Sequence, residues 1–367
     1  MQEYLMNNQS PYILLLCFLF CQCTLKDLPV SKDKVQKPKT LEYAKLYDIT
    51  KNNNELILNV KDASNNTYSY TISKNNLPFN NVIIASSTHL AFMDKLGVLD
   101  KVTAISGEKY MHHPYIIKQL EKGDIRDIGF EHDMSIEKIM DLKPELILAY
   151  KTANQPMFWE RLKKLNIPVI FIHDYLESHP LAKLEWLKLF GILFNKEDEA
   201  NRYFKDKKET YDSLKALIKN NNQPLVMTNM LWNDTWYLPG GNSYMAQLIK
   251  DAGGQYILAK NKDIRSQPFS FEKIVTIAKD ADIWLHVNQI NSMTELNSMN
   301  KRYSFFKAFK TGQVYNNNAL KNDKGGILFW ETGTIEPDEI LADIIHIFNP
   351  QVLAGRKLRY YKKLSDK

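Results

Sequence analysis

The hydrophobic pattern repeats one helix–strand design twice along the chain. Residues 135–150 (SIEKIMDLKPELILAY) place apolar side chains at helical spacing, end the helix before a proline and continue into a short apolar run. Residues 270–287 (SFEKIVTIAKDADIWLHV) repeat the helical spacing and the apolar run, without the proline. Each copy opens with Ser-x-Glu-Lys-Ile, in which the serine caps the helix and the acid faces its positive end. A short apolar run fits a strand buried on both faces, so the pattern predicts two similar α/β lobes.

Strands and helices alternate around both copies. The apolar run 81–85 leads into a hydroxyl-rich loop and a helix, and the run 225–229 precedes an aromatic-rich segment and the helix Tyr244–Asp251. Short loops between alternating strands and helices indicate mainly parallel sheets wrapped by helices. Small hydroxyl side chains at a helix N-terminus, here after residue 85, favour a site for a polar or anionic group.

Two helical stretches separate the copies, at residues 181–194 and 197–219. The second contains no Gly or Pro and carries a single apolar stripe, as a helix with one packed face does. At ~1.5 Å per residue it would extend roughly 35 Å, about the width of a small domain. We interpret it as a rigid spacer between the lobes, with one more surface helix of a single domain as the alternative.

The three cysteines all lie in the first 23 residues, at Cys17, Cys21 and Cys23. The apolar segment 12–21 is too short for a membrane span (~20 residues) but has the length of a signal-peptide core. Its end resembles the start of a bacterial lipoprotein, with Cys23 as the lipid-bearing residue and Cys21 as the alternative. A plain cleaved signal peptide is the other interpretation of this segment. A chain without other thiols suits an oxidising exterior.

The predicted organisation is a signal peptide at 1–23, a Lys- and Pro-rich tether at 24–41 and an antiparallel β meander at 42–80. An N-terminal α/β lobe at 81–180, linking helices at 181–222 and a C-terminal α/β lobe at 223–367 follow. A chain of 367 residues exceeds what one hydrophobic core usually serves. The net charge of +6 comes from dispersed lysines, and without a nucleic-acid motif we expect no nucleic-acid partner.

Several motifs in a fixed order carry a family resemblance, at residues 123–129 (GDIRDIG), 142–147 (LKPELI), 251–254 (DAGG) and 337–343 (PDEILAD). Together they resemble the substrate-binding proteins of ABC importers for iron–siderophores, haem and vitamin B12. The lipoprotein start and the Tyr-rich meander are similar to the version found in Bacteroidetes. The resemblance implies two Rossmann-like lobes joined by a single long backbone helix, with the ligand between them. It also implies a monomer, lipid-anchored in the cell envelope on the periplasmic side, without catalytic residues or cofactor.

The resemblance assigns ligand contacts by loop, for an iron chelate or a corrinoid. In the first lobe the matching residues are Ser86, Ser87, Thr88, His89, Tyr110, Tyr115 and Phe130. In the second half, Trp232, Trp236 and Trp330 would cover the cleft. Arginines near loops are few, which favours aromatic stacking and hydroxyl hydrogen bonds over charge pairing.

The family docks on arginines of a membrane permease through one acid per lobe. The matching residue in the first lobe is Glu137. Its alternative role is structural, as an acidic residue that stabilises the N-terminus of a helix. In the second lobe the position of the family acid is occupied by Lys250. Two neighbouring acids could dock in its place: Glu272, the equivalent of Glu137 in the repeat, and Asp251. The third alternative is that the second lobe does not dock through an acid at all.

Three other functions fit the sequence less well. Direct Zn or Mn binding needs converging histidines, and the chain has no His-rich loop. An extracytoplasmic hydrolase built on Ser86 or Ser87 lacks a Gly-x-Ser-x-Gly elbow. An anchored protein that contacts another protein would need no ligand cleft.

Overall fold

The computed structural model describes residues 41–130, 133–150, 156–219, 223–322 and 326–366. The predicted signal peptide, both lipidation candidates and the tether up to residue 40 lie outside the described residues. Within the described part of the chain, no helix has the length and apolar character needed to cross a membrane.

An antiparallel meander forms the N-terminal part, with strands β1 (Tyr47–Lys51), β2 (Glu55–Lys61) and β3 (Thr67–Ser73). The alternation of polar and apolar residues predicts these strands at 43–49, 55–61 and 67–73. The bounds of β2 and β3 match this prediction, but β1 begins at Tyr47 and not at Tyr43. The physical reason is that the backbone of residues 42–46 pairs with carboxylates and not with a strand. Glu185 accepts hydrogen bonds of 2.8–3.0 Å from the N–H groups of residues 42–44, and Glu177 accepts from those of Lys45 and Leu46.

The first lobe is built on a five-stranded parallel sheet in the order β6-β5-β4-β7-β8. Its strands are β4 (Val82–Ile84), β5 (Val102–Ile105), β6 (Arg126–Asp127), β7 (Leu146–Ala149) and β8 (Val169–Phe171). Its helices are α1 (Ser87–Lys95), α2 (Pro114–Lys122), α3 (Ile136–Leu142) and α4 (Pro156–Lys164). Because the strands are parallel, the loops after their carboxyl ends gather at one edge of the sheet.

Three helices connect the lobes, α5 (Pro180–Glu185), α6 (Leu187–Leu193) and α7 (Glu197–Ala216). The stretch predicted as one helix at 181–194 is divided at Trp186. The long helix α7 ends at Ala216, three residues before the predicted end. Its stripe buries Ala200, Phe204 and Tyr211, so α7 is packed along one face.

The second half contains a five-stranded sheet in the order β12-β9-β14-β15-β16, parallel except for the edge strand β16. A small antiparallel sheet, β10-β11-β13, lies beside it. The strands are β9 (Leu225–Thr228), β10 (Leu231–Trp232), β11 (Thr235–Leu238), β12 (Gln255–Tyr256), β13 (Gln267–Phe269), β14 (Ile283–Leu285), β15 (Val314–Asn316) and β16 (Lys362–Lys363). The helices are α8 (Tyr244–Asp251), α9 (Phe271–Ala278), α10 (Met293–Met299), α11 (Lys307–Lys310), α12 (Thr332–Ile335) and α13 (Pro337–Phe348).

The repeated motif has the same structure in both lobes. The Ser135 hydroxyl accepts the N–H of Lys138 at 3.1 Å to start α3, and the Ser270 hydroxyl accepts that of Lys273 at 3.3 Å to start α9. The following strands, β7 and β14, are buried along their whole length. The predicted α/β fold with two parallel-sheet lobes and an N-terminal antiparallel meander is confirmed.

Candidate functional site

The hydroxyl-rich loop lies at the carboxyl end of β4, in the middle of the first sheet. Ser86 is the residue before α1, with an extended backbone, and its Oγ lies 2.9 Å from Thr88 Oγ1. Ser86, Ser87 and Thr88 are all half-buried. The loop therefore presents hydroxyl groups at a helix N-terminus, as the sequence predicts, next to the loops that follow β5 and β6.

Asp127 holds these neighbouring loops together. Its Oδ1 accepts hydrogen bonds from the N–H groups of Gly107 and Gly129, both at 2.9 Å, and its Oδ2 accepts from Glu108 N at 3.0 Å. Gly129 has a φ of +90°, and a Cβ there would lie 2.2 Å from the Asp133 carbonyl oxygen. The sequence shows Asp127 within the motif 123–129 but does not reveal this role. The available signal was an acidic residue at the end of a strand, followed two positions later by a glycine.

A cavity of about 600 Å³ opens beside these loops. It is lined by Gly107, Glu108, Lys109, Met111, His112, Asp127, Gly129, Phe130 and Asp133. The rings of Tyr110 and Phe130 lie 4.4 Å apart, and Lys109 Nζ lies 4.9 Å from the centre of the Tyr110 ring. Tyr110 is 44% exposed. The two predicted aromatic residues thus form one surface, of a kind that stacks on ring systems.

Gly107 is what allows the Phe130 ring to take this position. Its φ is +79°, and a Cβ at residue 107 would approach Phe130 Cδ2 to 2.7 Å. Any other residue would combine an unfavourable backbone conformation with displacement of the ring. Tyr115 lies on α2, 36% exposed, and does not line the cavity.

Trp330 lies in the second half on a support of buried aromatic rings. It packs edge-on against Phe329 at 4.9 Å and His286 at 6.0 Å, and the indole remains 46% exposed. His286 stacks on Tyr361, with Nε2 within 2.6 Å of the Tyr361 hydroxyl. Burial lowers the pKa of His286 to about 3, so the imidazole is neutral and acts as a packing group.

Two predicted ligand residues are corrected by their burial. His89 is 1% exposed inside α1, its ring lies 6.1 Å from that of Phe190, and burial lowers its pKa to about 3. Trp236 is fully buried, donates from Nε1 to Thr228 O at 2.9 Å, and stacks on Trp284 at 5.6 Å. Neither side chain presents a surface to a ligand. Trp232, by contrast, is exposed on β10 and stays a prediction.

Glu331 links the second half to the hydroxyl-rich loop. It lies near the Ser87 hydroxyl and near His113, whose Nε2 is 3.6 Å from Asp94 Oδ1. Burial raises the pKa of Glu331 to about 7, although His113 and Ser87 act in the opposite direction. Sequence reasoning placed this residue before a helix without a role, because the contact with residue 87 spans most of the chain.

A second contact between the halves lies at the wall of the cavity. Asn322 Nδ2 donates to the His112 carbonyl oxygen at 2.8 Å. Gly326 lies so close to the His112 ring that a Cβ would approach Cδ2 to 2.2 Å. The chain between β15 and α12 therefore reaches both the cavity wall and the start of α1. No group of three or more His, Cys, Asp or Glu side chains within the described ranges is arranged to hold a metal ion.

The two predicted docking acids take equivalent positions. Glu137 and Glu272 are each the second residue of a serine-capped helix, and both are exposed. The backbone N–H of Glu137 and the Ser135 hydroxyl lower the pKa of Glu137. Glu272 lies 3.4 Å from Arg302.

Asp251, the third candidate, is corrected by its burial. It is 3% exposed, accepts from the Tyr211 hydroxyl and from Gln247 Nε2, both at 2.9 Å, and pairs with Lys215 at 2.9 Å. Its carboxylate is committed to the contact between α8 and α7. Lys250, beside it, is exposed.

Comparison with known proteins relates this architecture to one family. The periplasmic binding protein family matches residues 82–319. An uncharacterized lipoprotein of Methanocaldococcus jannaschii is 31% identical over 297 residues, which are 78% of this chain and 69% of that protein. The Fe(3+)-citrate-binding protein of Bacillus subtilis is 24% identical over 237 residues, covering 64% and 71% of the two chains. The crystal structure of a periplasmic haem-binding protein from Pseudomonas aeruginosa superposes with a TM-score of 0.58 at 16% identity, covering 78% and 98%.

Proposed function

Because the chain belongs to the periplasmic binding protein family, we propose that it is the substrate-binding component of an ABC importer. It captures an iron–siderophore, haem or a cobalamin-type chelate between its two lobes and delivers it to a membrane permease. A lipid on Cys23, or on Cys21, holds it at the cell envelope on the periplasmic side. The protein binds its ligand without transforming it.

The observation that carries the proposal is the cavity of about 600 Å³ lined by Phe130, whose ring lies 4.4 Å from that of the exposed Tyr110. The volume falls within the range of small-molecule sites, which combine apolar walls with a few polar groups. Ser86, Ser87 and Thr88 supply hydroxyl groups on the neighbouring strand end, and Trp330 supplies an exposed indole from the second half. The names of the iron-citrate and haem-binding relatives support the same ligand class.

Calorimetry with a panel of ferric siderophores, haem and cyanocobalamin tests the proposal. At least one of these chelates should bind with a 1:1 stoichiometry. Because an aromatic contact contributes ~0.5–1.5 kcal/mol, Tyr110→Ala and Phe130→Ala should each weaken that binding by roughly two- to tenfold. Phe305→Ala is the matched control, since Phe305 is an exposed aromatic residue of the second half. If no chelate in the panel binds, the proposed function is wrong.

Delivery to the permease is tested separately from capture. Glu137→Lys should leave chelate affinity intact and lower uptake in cells, because a lysine there would repel permease arginines. Glu272→Lys tests the second lobe, and Glu121→Lys controls for an added positive charge on an exposed helix. Unchanged uptake by the residue 137 variant would remove that residue from the docking surface.

A further inference from the structure

The support of the Trp330 indole is completed by a tyrosine from the last part of the chain. Tyr361 is buried, stacks on His286 at 5.5 Å and lies edge-on to Phe329 at 5.6 Å. His286 and Phe329 are themselves 5.2 Å apart, and both pack against the indole. The indole therefore rests on two rings that share Tyr361 as a common neighbour.

His286 keeps its place in an unfavourable backbone conformation. Its φ is +63°, in the left-handed region that residues other than glycine adopt rarely. Such a conformation persists where the surrounding contacts over-determine it. One such contact is the Tyr361 hydroxyl, which lies within 2.6 Å of His286 Nε2. Because both side chains are buried, removal of the hydroxyl would leave the imidazole nitrogen without this partner in the interior.

A buried carboxylate fixes Tyr361 in turn. Asp343, on α13, accepts hydrogen bonds from the backbone N–H groups of Tyr360 at 2.7 Å and of Tyr361 at 3.2 Å. Tyr360 extends the support to the start of α12, because its hydroxyl lies 3.0 Å from Thr332 Oγ1. Two adjacent tyrosines thus hold the chain on either side of Trp330.

Most of this support lies beyond the part of the chain that matches the periplasmic binding protein family, which ends at residue 319. Phe329, Trp330 and Tyr361 follow that residue, and His286 precedes it. The role of the support therefore follows from the contacts of this chain alone. A side chain that is held in one orientation before binding has less conformational freedom to lose when a ligand seats on it, so affinity rises.

We infer that Tyr361 is a positioning residue of the ligand site, which holds the Trp330 indole in its binding orientation through His286 and Phe329. This inference rests on the proposed function and deepens it. Tyr361 does not touch the ligand, and its effect on affinity passes through the indole.

Tyr361→Phe tests the inference directly, because it removes the hydroxyl and keeps the ring. Calorimetry with ferric citrate, ferrichrome, haem and cyanocobalamin identifies the chelate that the wild type binds most tightly, and that chelate is the probe. Trp330→Ala should weaken its binding by roughly two- to tenfold, as for loss of an aromatic contact. Tyr361→Phe should also weaken it by roughly two- to tenfold, the cost of ordering one side chain on binding.

A double variant distinguishes positioning from a general structural role. In the Trp330→Ala background, Tyr361→Phe should change chelate affinity by less than twofold, because the indole through which it acts is gone. Tyr315→Phe is the matched control: its hydroxyl lies 3.1 Å from Gln313 Oε1 on the same sheet, and its loss should change affinity by less than twofold. If Tyr361→Phe does not fold, Phe329→Leu, which removes a ring from the same support, takes its place with the same expectations.

Three results would overturn the inference and leave the proposed function standing. They are an unchanged affinity of the Tyr361→Phe protein, an equal loss with and without Trp330, and an unchanged affinity of the Trp330→Ala protein. Failure of every chelate to bind the wild type would overturn the proposed function itself.

Discussion

Replacing Glu331 by glutamine should make the stability of the protein less sensitive to pH. Burial raises the pKa of this carboxyl group to about 7 from an ordinary value of 4.5. The folded protein therefore favours the protonated form. The contribution of this group is fully present below about pH 4.5 and is lost as the pH rises through about 7. The pKa difference corresponds to a loss of up to about 3 kcal/mol in the free energy of unfolding.

Glutamine has nearly the shape of the protonated acid and cannot ionise. Urea denaturation of the wild type and Glu331→Gln between pH 5 and pH 8 measures the effect. The two proteins should have similar unfolding free energies at pH 5. At pH 8 the variant should be more stable by up to about 3 kcal/mol, because it is not obliged to ionise a buried group.

The difference between the two proteins isolates this group, since every other titrating residue is common to both. Glu121→Gln, an exposed acid on α2, should show an unfolding free energy that differs little from the wild type at every pH. A difference between the wild type and Glu331→Gln that stays constant from pH 5 to pH 8 would refute the reasoning, because the carboxyl group would then not titrate in this range.

Two further predictions concern groups that the structure places in the interior. Glu185→Ala should lower the free energy of unfolding by roughly 3 kcal/mol, because three backbone N–H groups lose their buried acceptor. Urea denaturation measures this free energy. An unchanged value would mean that Glu185 does not hold residues 42–44. Trp236→Ala should cost ~3–5 kcal/mol as a cavity-forming change yet leave chelate affinity in calorimetry unchanged, whereas weakened binding by the folded variant would restore Trp236 to the ligand site.

The sequence predicts elements well where local chemistry decides them. Serine caps mark the starts of α3 and α9, and the predicted bounds of α8 are those of the structure. It fails at β1, where the competing partners are two glutamates more than 130 positions away in sequence. In the structure, these buried carboxylates replace a neighbouring strand as the hydrogen-bond acceptors of the backbone. A local sequence pattern cannot reveal such distant partners.

Trp232 is exposed and Trp236 is buried, and the turn between them explains this difference. Asn233 and Asp234 both have positive φ, at 45° and 61°, and form the two-residue turn between β10 and β11. Such turns favour Asn and Asp. Trp236 pairs across the turn with Leu231, whereas Trp232 pairs with Thr235. Since adjacent residues of a strand face opposite sides, one tryptophan is turned into the core and the other outward.

The chain between β15 and α12 joins the parts of the candidate site that the sequence treats separately. Asn322 contacts His112 at the cavity wall, Glu331 contacts Ser87 at the start of α1, and Trp330 lies between these two contacts in sequence. A ligand that seats on Trp330, as proposed, would therefore meet a segment that approaches the first lobe on both sides of Trp330 in sequence. Binding and these contacts share one free-energy balance, so each alters the other by the same amount. If the proposed ligand seats on Trp330, we therefore expect Asn322 and Glu331 to influence its affinity without touching it.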